Sequence, residues 1–145
     1  ILTVPPALRP RFAMVLAVLQ RRGKVRVHDR EVFAATVGGI RVVEPAADLG
    51  VALAVASVFH EVPLAPDMVA IGEVGLTGEI RRGGAVPKRL AEAARLGFRY
   101  ALVPPGCGPA ATGSVPAGMD VREVGDMLSA LRASAQAGVA ATDGL

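Results

Sequence analysis

From Arg11 to Arg22 the apolar residues Phe12, Val15, Leu16 and Leu19 recur at the spacing of one helix face. Arg21 and Arg22 suit the carboxyl end of that helix, where its dipole favours cations, and Gly23 supplies a stop. Lys24 to His28 alternates polar and apolar, Glu31 to Thr36 does so more loosely, and Gly38-Gly39 precedes the apolar run Ile40 to Val43. These segments predict a set of antiparallel strands. Glu44-Pro45 marks a second helix start, and Ala46 to Phe59 is apolar nearly all round, as expected of a helix buried on most sides. Pro63 and Pro66 break it. Met68 to Ile71 reads as a short central strand, and Ile80 opens a second. Pro87 to Leu96 has helical spacing at Leu90, Ala93 and Ala94, with Gly97 as its stop. Tyr100 to Val103 predicts a further strand, and Gly106 to Gly118 a long loop. Asp120 to Ala133 predicts a last helix on the stripe Val121, Val124, Leu128 and Leu131. The order is that of an α+β domain with a mixed sheet and about four helices.

Composition bounds this picture. The chain has 145 residues, 52% of them apolar and 20% charged, enough for one domain with a real core. Residues 11–133 carry the periodic pattern, 1–10 read as a linker, and 134–145 as a flexible Ala/Gly tail. A chain that begins Ile-Leu-Thr-Val, without an initiator Met, looks like a segment of a larger protein. Mean hydropathy is +0.45, yet the longest uncharged stretch, Tyr100 to Met119, contains four prolines and four glycines, and no membrane span is expected. A single cysteine, Cys107, excludes an internal disulfide and a cysteine-based zinc site, and fits a reducing, cytoplasmic setting.

Net charge is +3, but it is segregated. Residues 1–41 carry eight basic and two acidic groups; residues 42–80 carry six acids and no base; residues 81–99 carry six basic groups against Glu92 alone. The pattern suggests two basic surfaces on a neutral body and makes a polyanion partner plausible. The candidate nucleic-acid contacts are Arg21, Arg22 and Lys24 in the first cluster, and Arg81, Arg82, Lys88 and Arg89 in the second. Aromatics are 3% of the chain, so phosphate contact is the expected mode rather than base stacking on rings.

Other chemistry is thin. Gly72 to Gly84 holds five glycines, but lacks the Gly-Lys-Ser/Thr ending of a phosphate loop and the spacing of a dinucleotide fingerprint, so tight turns between strands are the simpler reading. Ser57 lies mid-helix, His28 and His60 sit at element ends, and Cys107 has no basic neighbour in sequence to activate it. Asp48, in a nearly all-apolar helix start, reads as a cap in preference to a half-buried acid. No catalytic, cofactor-binding or metal-binding residue is expected.

Ala47-Asp48-Leu49, Val62-Pro63-Leu64, the run Gly72-Glu73-Val74-Gly75-Leu76-Thr77-Gly78-Glu79-Ile80-Arg81 and Glu92-Ala93-Ala94-Arg95-Leu96-Gly97-Phe98 closely resemble the carboxy-terminal domain of the bacterial RadA (Sms) family. Phe33 to Val43 fits the same pattern, and the resemblance covers residues 8 to 133. That domain is similar to the proteolytic domain of Lon, a fold of the ribosomal S5 domain 2-like type. The resemblance implies a serine at the start of the helix from Pro45 and a lysine at the start of the helix from Pro87. Here those positions hold Ala46 and Pro87, one residue before Lys88. A neighbouring residue points elsewhere by about a third of a turn, so the dyad is absent and proteolysis is not expected. The family implies an upstream ATPase core and zinc finger, with ATP, Mg and Zn held there and none in this segment. It further implies DNA branch migration in recombinational repair, with single-stranded DNA, a homo-hexameric ring and RecA recombinase as partners. This domain would serve as a ring scaffold with a DNA-contacting basic surface; a residual Lon-like peptidase and an assembly module without DNA contact are the alternatives.

Overall fold

A computed structural model describes residues 9–32, 44–112 and 115–143. Their elements in chain order are α1 (Arg9–Gly23), a 3-10 turn (Val27–Asp29), a second 3-10 turn (Pro45–Ala47), α2 (Asp48–His60), β1 (Met68–Ala70), β2 (Glu73–Val74), β3 (Ile80–Arg81), α3 (Val86–Arg95), β4 (Tyr100–Val103), the short α4 (Pro109–Thr112), β5 (Asp120–Glu123) and α5 (Met127–Asp143). The class is α+β, and α1, α2, α3 and α5 are the four helices of ten residues or more.

Both strand directions are present, but in separate sheets. β1, β4 and β5 form a parallel sheet in the order β1-β4-β5, in which Met68 pairs with Tyr100 and Tyr100 with Asp120. β2 and β3 form an antiparallel hairpin, pairing Glu73 with Arg81 and Val74 with Ile80. The central strand is therefore β4, not the Met68–Ile71 run, which among the described residues pairs on one side only. β4 is apolar at every position because both its faces are covered. Leu102 points into a core built with Val15, Leu19, Leu49, Leu53 and Met127 of α1, α2 and α5, while Ala101 and Val103 point into a second core with Val86, Leu90 and Ala93 of α3.

Further sequence expectations are corrected here. Lys24 to His28 is not a strand: Val25 and Val27 are buried and their neighbours exposed, so the alternation is real, but the segment hugs the core as a coil and a 3-10 turn. Asp120 to Glu123 is not helical. It is strand β5, with only Val121 buried, and its charged Asp120, Arg122 and Glu123 fit the rim of a sheet. The last helix instead starts at Met127, because Asp126 and Ser129 close a reciprocal cap. Ser129 N–H donates to Asp126 Oδ1 at 2.8 Å, and Asp126 N–H donates to Ser129 Oγ at 3.2 Å. α5 then runs to Asp143, through residues whose composition suggests a tail. Nor does Gly23 provide the left-handed stop of α1. Lys24 takes that conformation, with φ 58°, whereas a Cβ at Gly23 would lie 3.0 Å from Leu131 of α5, so the glycine is there for close helix packing. The strands expected between Phe33 and Val43 lie outside the described residues, as does most of the 1–10 linker.

Asp48 is the largest correction. It caps nothing: the side chain that accepts the first free N–H is that of Glu44, bonded to Ala46 N. Asp48 is 4% exposed and accepts two hydrogen bonds from Arg11 of α1, Nε at 2.7 Å and Nη2 at 2.6 Å, and one from Val74 N–H of β2 at 3.1 Å. Arg11 also meets Glu73 at 3.2 Å. The pair of carboxylates raises the Arg11 pKa further, the Asp48 hydrogen bonds contributing most.

Asp48→Ala leaves Arg11 without its main partner and Val74 N–H unbonded in the core. It should cost about 3 kcal/mol by denaturant unfolding. A double-mutant cycle with Arg11→Met should return a coupling of at least about 1 kcal/mol. Gly72 offers a second check. It bonds α2 through Leu49 N–H and Ala46 C=O, and a Cβ there would lie 2.6 Å from Ile80 Cγ2. Gly72→Ala should therefore cost about 1–3 kcal/mol. Gly84→Ala, with nothing within 4 Å, should change stability by under about 0.5 kcal/mol.

Candidate nucleic-acid interface

Charge that is segregated along the sequence is largely matched in space. Glu44 meets Arg89 at 3.1 Å, Asp48 and Glu73 meet Arg11, and Glu79 meets Arg81 at 2.6 Å. Four of the six acids of residues 42–80 thus lie against cations of the flanking segments. Arg89 Nε also donates to Gly84 C=O. Of the seven candidate contacts, Arg81 and Arg89 are tied to carboxylates. Arg21, Arg22, Lys24, Arg82 and Lys88 make no ion pair among the described residues, and all five are exposed.

The structure groups these five by element. Arg21, Arg22 and Lys24 sit at the carboxyl end of α1, and the Arg22 stem lies against Gly78, whose added Cβ would be 2.9 Å from Arg22 Cβ and Cγ. This brings the first cluster beside the β2–β3 turn. Arg82 follows β3 and reaches the Pro104–Cys107 turn: its Nη1 is 3.7 Å from where a Cβ of Gly106 would stand. Lys88 lies in the first turn of α3, apart from both.

The glycine-rich segment is the β2–β3 turn, and no phosphate cradle. Gly75 N–H donates to Glu79 C=O at 2.9 Å, Gly78 N–H donates to Gly75 C=O at 3.0 Å, and Gly78 takes φ 87°, which a side chain would oppose. The Glu79 carboxylate folds back into the turn. It accepts from Thr77 N–H at 3.1 Å, from the Thr77 hydroxyl, and from Arg81 Nη2. Those donors hold the Glu79 pKa down to about 2, the Thr77 hydroxyl contributing most. The sequence signal for this bracing is period-two spacing, Thr77, Glu79, Arg81, on one side of a turn and strand.

Two further features escaped sequence reading. Cys107 is buried, and burial raises its pKa, while Arg82 beside it acts the other way. The basic neighbour missing in sequence is thus supplied across the fold. Glu123 Oε1 accepts from Gly106 N–H at 2.5 Å and Gly108 N–H at 3.1 Å, fixing the turn that carries this cysteine. His28 is exposed and 2.8 Å from Asp29, and His60 stacks edge-on against Phe59, so neither is built into a site. No group of three metal-ligating side chains exists among the described residues, and no helix among them is long and apolar enough to cross a membrane.

The segment leading into α2 and the first turn of α3 lie together, bridged by the Glu44–Arg89 pair. Ala46 is 4% exposed, and its Cβ is 3.7 Å from where a Cβ of Gly83 would stand. It shares an apolar cluster with Ile71, Val86 and Cys107. Pro87 and Lys88 are exposed. Position 46 thus presents a buried methyl group.

No family model matches the chain. Curated relatives do, and they are DNA repair proteins. The chain is 42% identical over 130 residues to DNA repair protein RadA of Mycolicibacterium smegmatis, a match that spans 90% of this chain and 27% of that protein. It is 44% identical over 122 residues to RadA of Mycobacterium tuberculosis H37Rv, 84% of this chain and 24% of that one. For RadA of Escherichia coli K12 the values are 43% over 122 residues, 82% and 26%. The chain spans about a quarter of the length of the curated relatives it matches. It belongs with the RadA proteins and matches a carboxy-terminal segment of these much longer chains.

The bracing of Glu79 has a measurable consequence. Its carboxyl should titrate near pH 2 by NMR, and Thr77→Val should move that titration up toward the ordinary carboxylate range. Because the folded pKa is depressed, the stabilisation of the turn is present above the unfolded carboxyl pKa and is lost as pH falls toward 2.

Proposed function

We propose that this segment is a non-catalytic, Lon protease-like domain that contacts DNA and scaffolds ring assembly in a RadA-type, ATP-driven DNA repair protein. The observation that carries DNA contact is that five of the seven candidate cations, Arg21, Arg22, Lys24, Arg82 and Lys88, are exposed and make no ion pair among the described residues. Exposed cations that no carboxylate neutralises attract phosphate oxygens and release counterions on binding. The Lon-like reading is supported by the meeting of the two helix starts, and the absence of hydrolysis by Ala46 and Pro87 at the positions where a nucleophile and base would stand. ATP, Mg and Zn belong, on this reading, to the upstream part of the whole protein. A homo-hexameric ring, single-stranded DNA and RecA recombinase would be its partners.

Fluorescence anisotropy on labelled single-stranded DNA, repeated from about 50 to about 200 mM salt, tests this. Affinity should fall steeply with salt. Arg82→Glu with Lys88→Glu should weaken binding and reduce the salt slope by about 0.7 for each phosphate no longer neutralised. Arg89→Glu, which removes a cation already held by Glu44, should change the slope less. A slope near zero removes the DNA role, and sedimentation that shows rings indifferent to DNA favours a pure assembly module. Turnover of unfolded casein that Lys88→Ala abolishes would overturn the non-catalytic reading.

A further inference from the structure

Leu76 is 75% exposed at the tip of the β2–β3 turn, although the turn itself is held by several hydrogen bonds. Glu79 braces it from within through Thr77 and Arg81. From below, Gly78 C=O accepts from Met127 N–H at 2.8 Å, and Ile80 N–H donates to Gly125 C=O at 2.9 Å, fixing the turn on the start of α5. Arg22 packs against Gly78 from the side. A leucine held rigidly in water makes no contribution to the core. It is, however, preorganised to meet a partner without further ordering cost.

The charge around it selects that partner. Arg81 matches Glu79, and the cap holds Asp126 toward Ser129, with Arg132 nearby in its field. Arg21, Arg22 and Lys24 at the adjoining helix end remain without an ion pair among the described residues. Those unpaired cations attract a polyanion. An apolar tip with cations on the adjoining helix end further suits a strand whose base faces are open, because apolar side chains contact bases where stacking is interrupted.

We propose that Leu76 is a base-contacting tip for single-stranded DNA, with Arg21, Arg22 and Lys24 taking the flanking phosphates. This rests on the DNA-contact reading above and deepens it by assigning the strand to one end of the molecule. The tip supplies an apolar surface in a chain with few aromatic rings. The bracing keeps it at a fixed height above the cations.

The test uses the chain with oligo-dT and with a strand carrying 2-aminopurine, at several salt concentrations. Leu76→Ala should weaken binding about five-fold, below the effect of removing an aromatic platform, and leave the salt slope unchanged. It should also abolish the 2-aminopurine change on binding. Arg21→Gln with Lys24→Gln should instead lower the slope by about 1.4 and leave the fluorescence change in place. Binding and fluorescence unchanged in Leu76→Ala, with affinity reduced in Arg82→Glu and Lys88→Glu, overturns the tip and leaves the DNA-contact reading standing. No binding by the wild-type chain sinks both. Self-association abolished in Leu76→Ala, at unchanged DNA affinity, assigns the tip to a second copy and overturns the proposal. A Leu76-dependent preference for duplex over single strand overturns its single-strand assignment.

Discussion

The arrangement depends on a carboxylate that cannot be left alone. Asp48 lies beneath the surface at the first turn of α2, and an ionised acid there is tolerable only if its oxygens are fully engaged. Arg11 brings a planar fork from α1 and Val74 brings a backbone N–H from β2. Three elements distant in sequence are thus fixed by one side chain. Gly72 completes the joint, bonding Leu49 N–H and Ala46 C=O where no larger residue would clear Ile80. A well-packed apolar substitute for such a pair can be equally stable. What the ion pair adds is a defined position for α1 against the hairpin, and through α1 a defined position for its terminal cations.

Placing the acids opposite the bases changes what the net charge means. The +3 does not measure how basic the surface is, because Glu44, Asp48, Glu73 and Glu79 each lie against an arginine. Among the described residues, the candidate contacts without an ion pair then divide between the end of α1, the segment after β3 and the start of α3. Apart from the buried Asp48–Arg11 pair, surface ion pairs of this kind contribute little to stability individually, yet they determine which cations remain available to a partner.

Much of the architecture is legible in the sequence because it follows period and punctuation. α1, α2, α3 and β4 fall close to the limits set by apolar spacing, proline and glycine. The failures share a cause. Val25 and Val27 alternate like a strand because a coil that hugs a core also buries every second residue. Asp120 to Glu123 reads as helical because Val121 and Val124 happen to continue the stripe of Leu128 and Leu131, and only the Asp126–Ser129 cap reveals the break. At the interface, the basic clusters can be read directly. Which cations are already engaged, and that Arg82 stands beside Cys107, depends on contacts between residues far apart in the chain.

The position of β4 between two parallel neighbours carries a kinetic consequence. Parallel strands have no hairpin shortcut. β1 and β4 meet only after α3 has crossed over, and β4 and β5 only after the α4 segment has done so. The apolar faces of α1 and α2 are completed later still, by Met127 and Ala130 of α5. Pairings of such long sequence separation are slow to close. On a ribosome, the early helices must therefore wait with apolar surface uncovered until the last helix has emerged, which makes nascent-chain protection a requirement of this topology rather than an accident of expression.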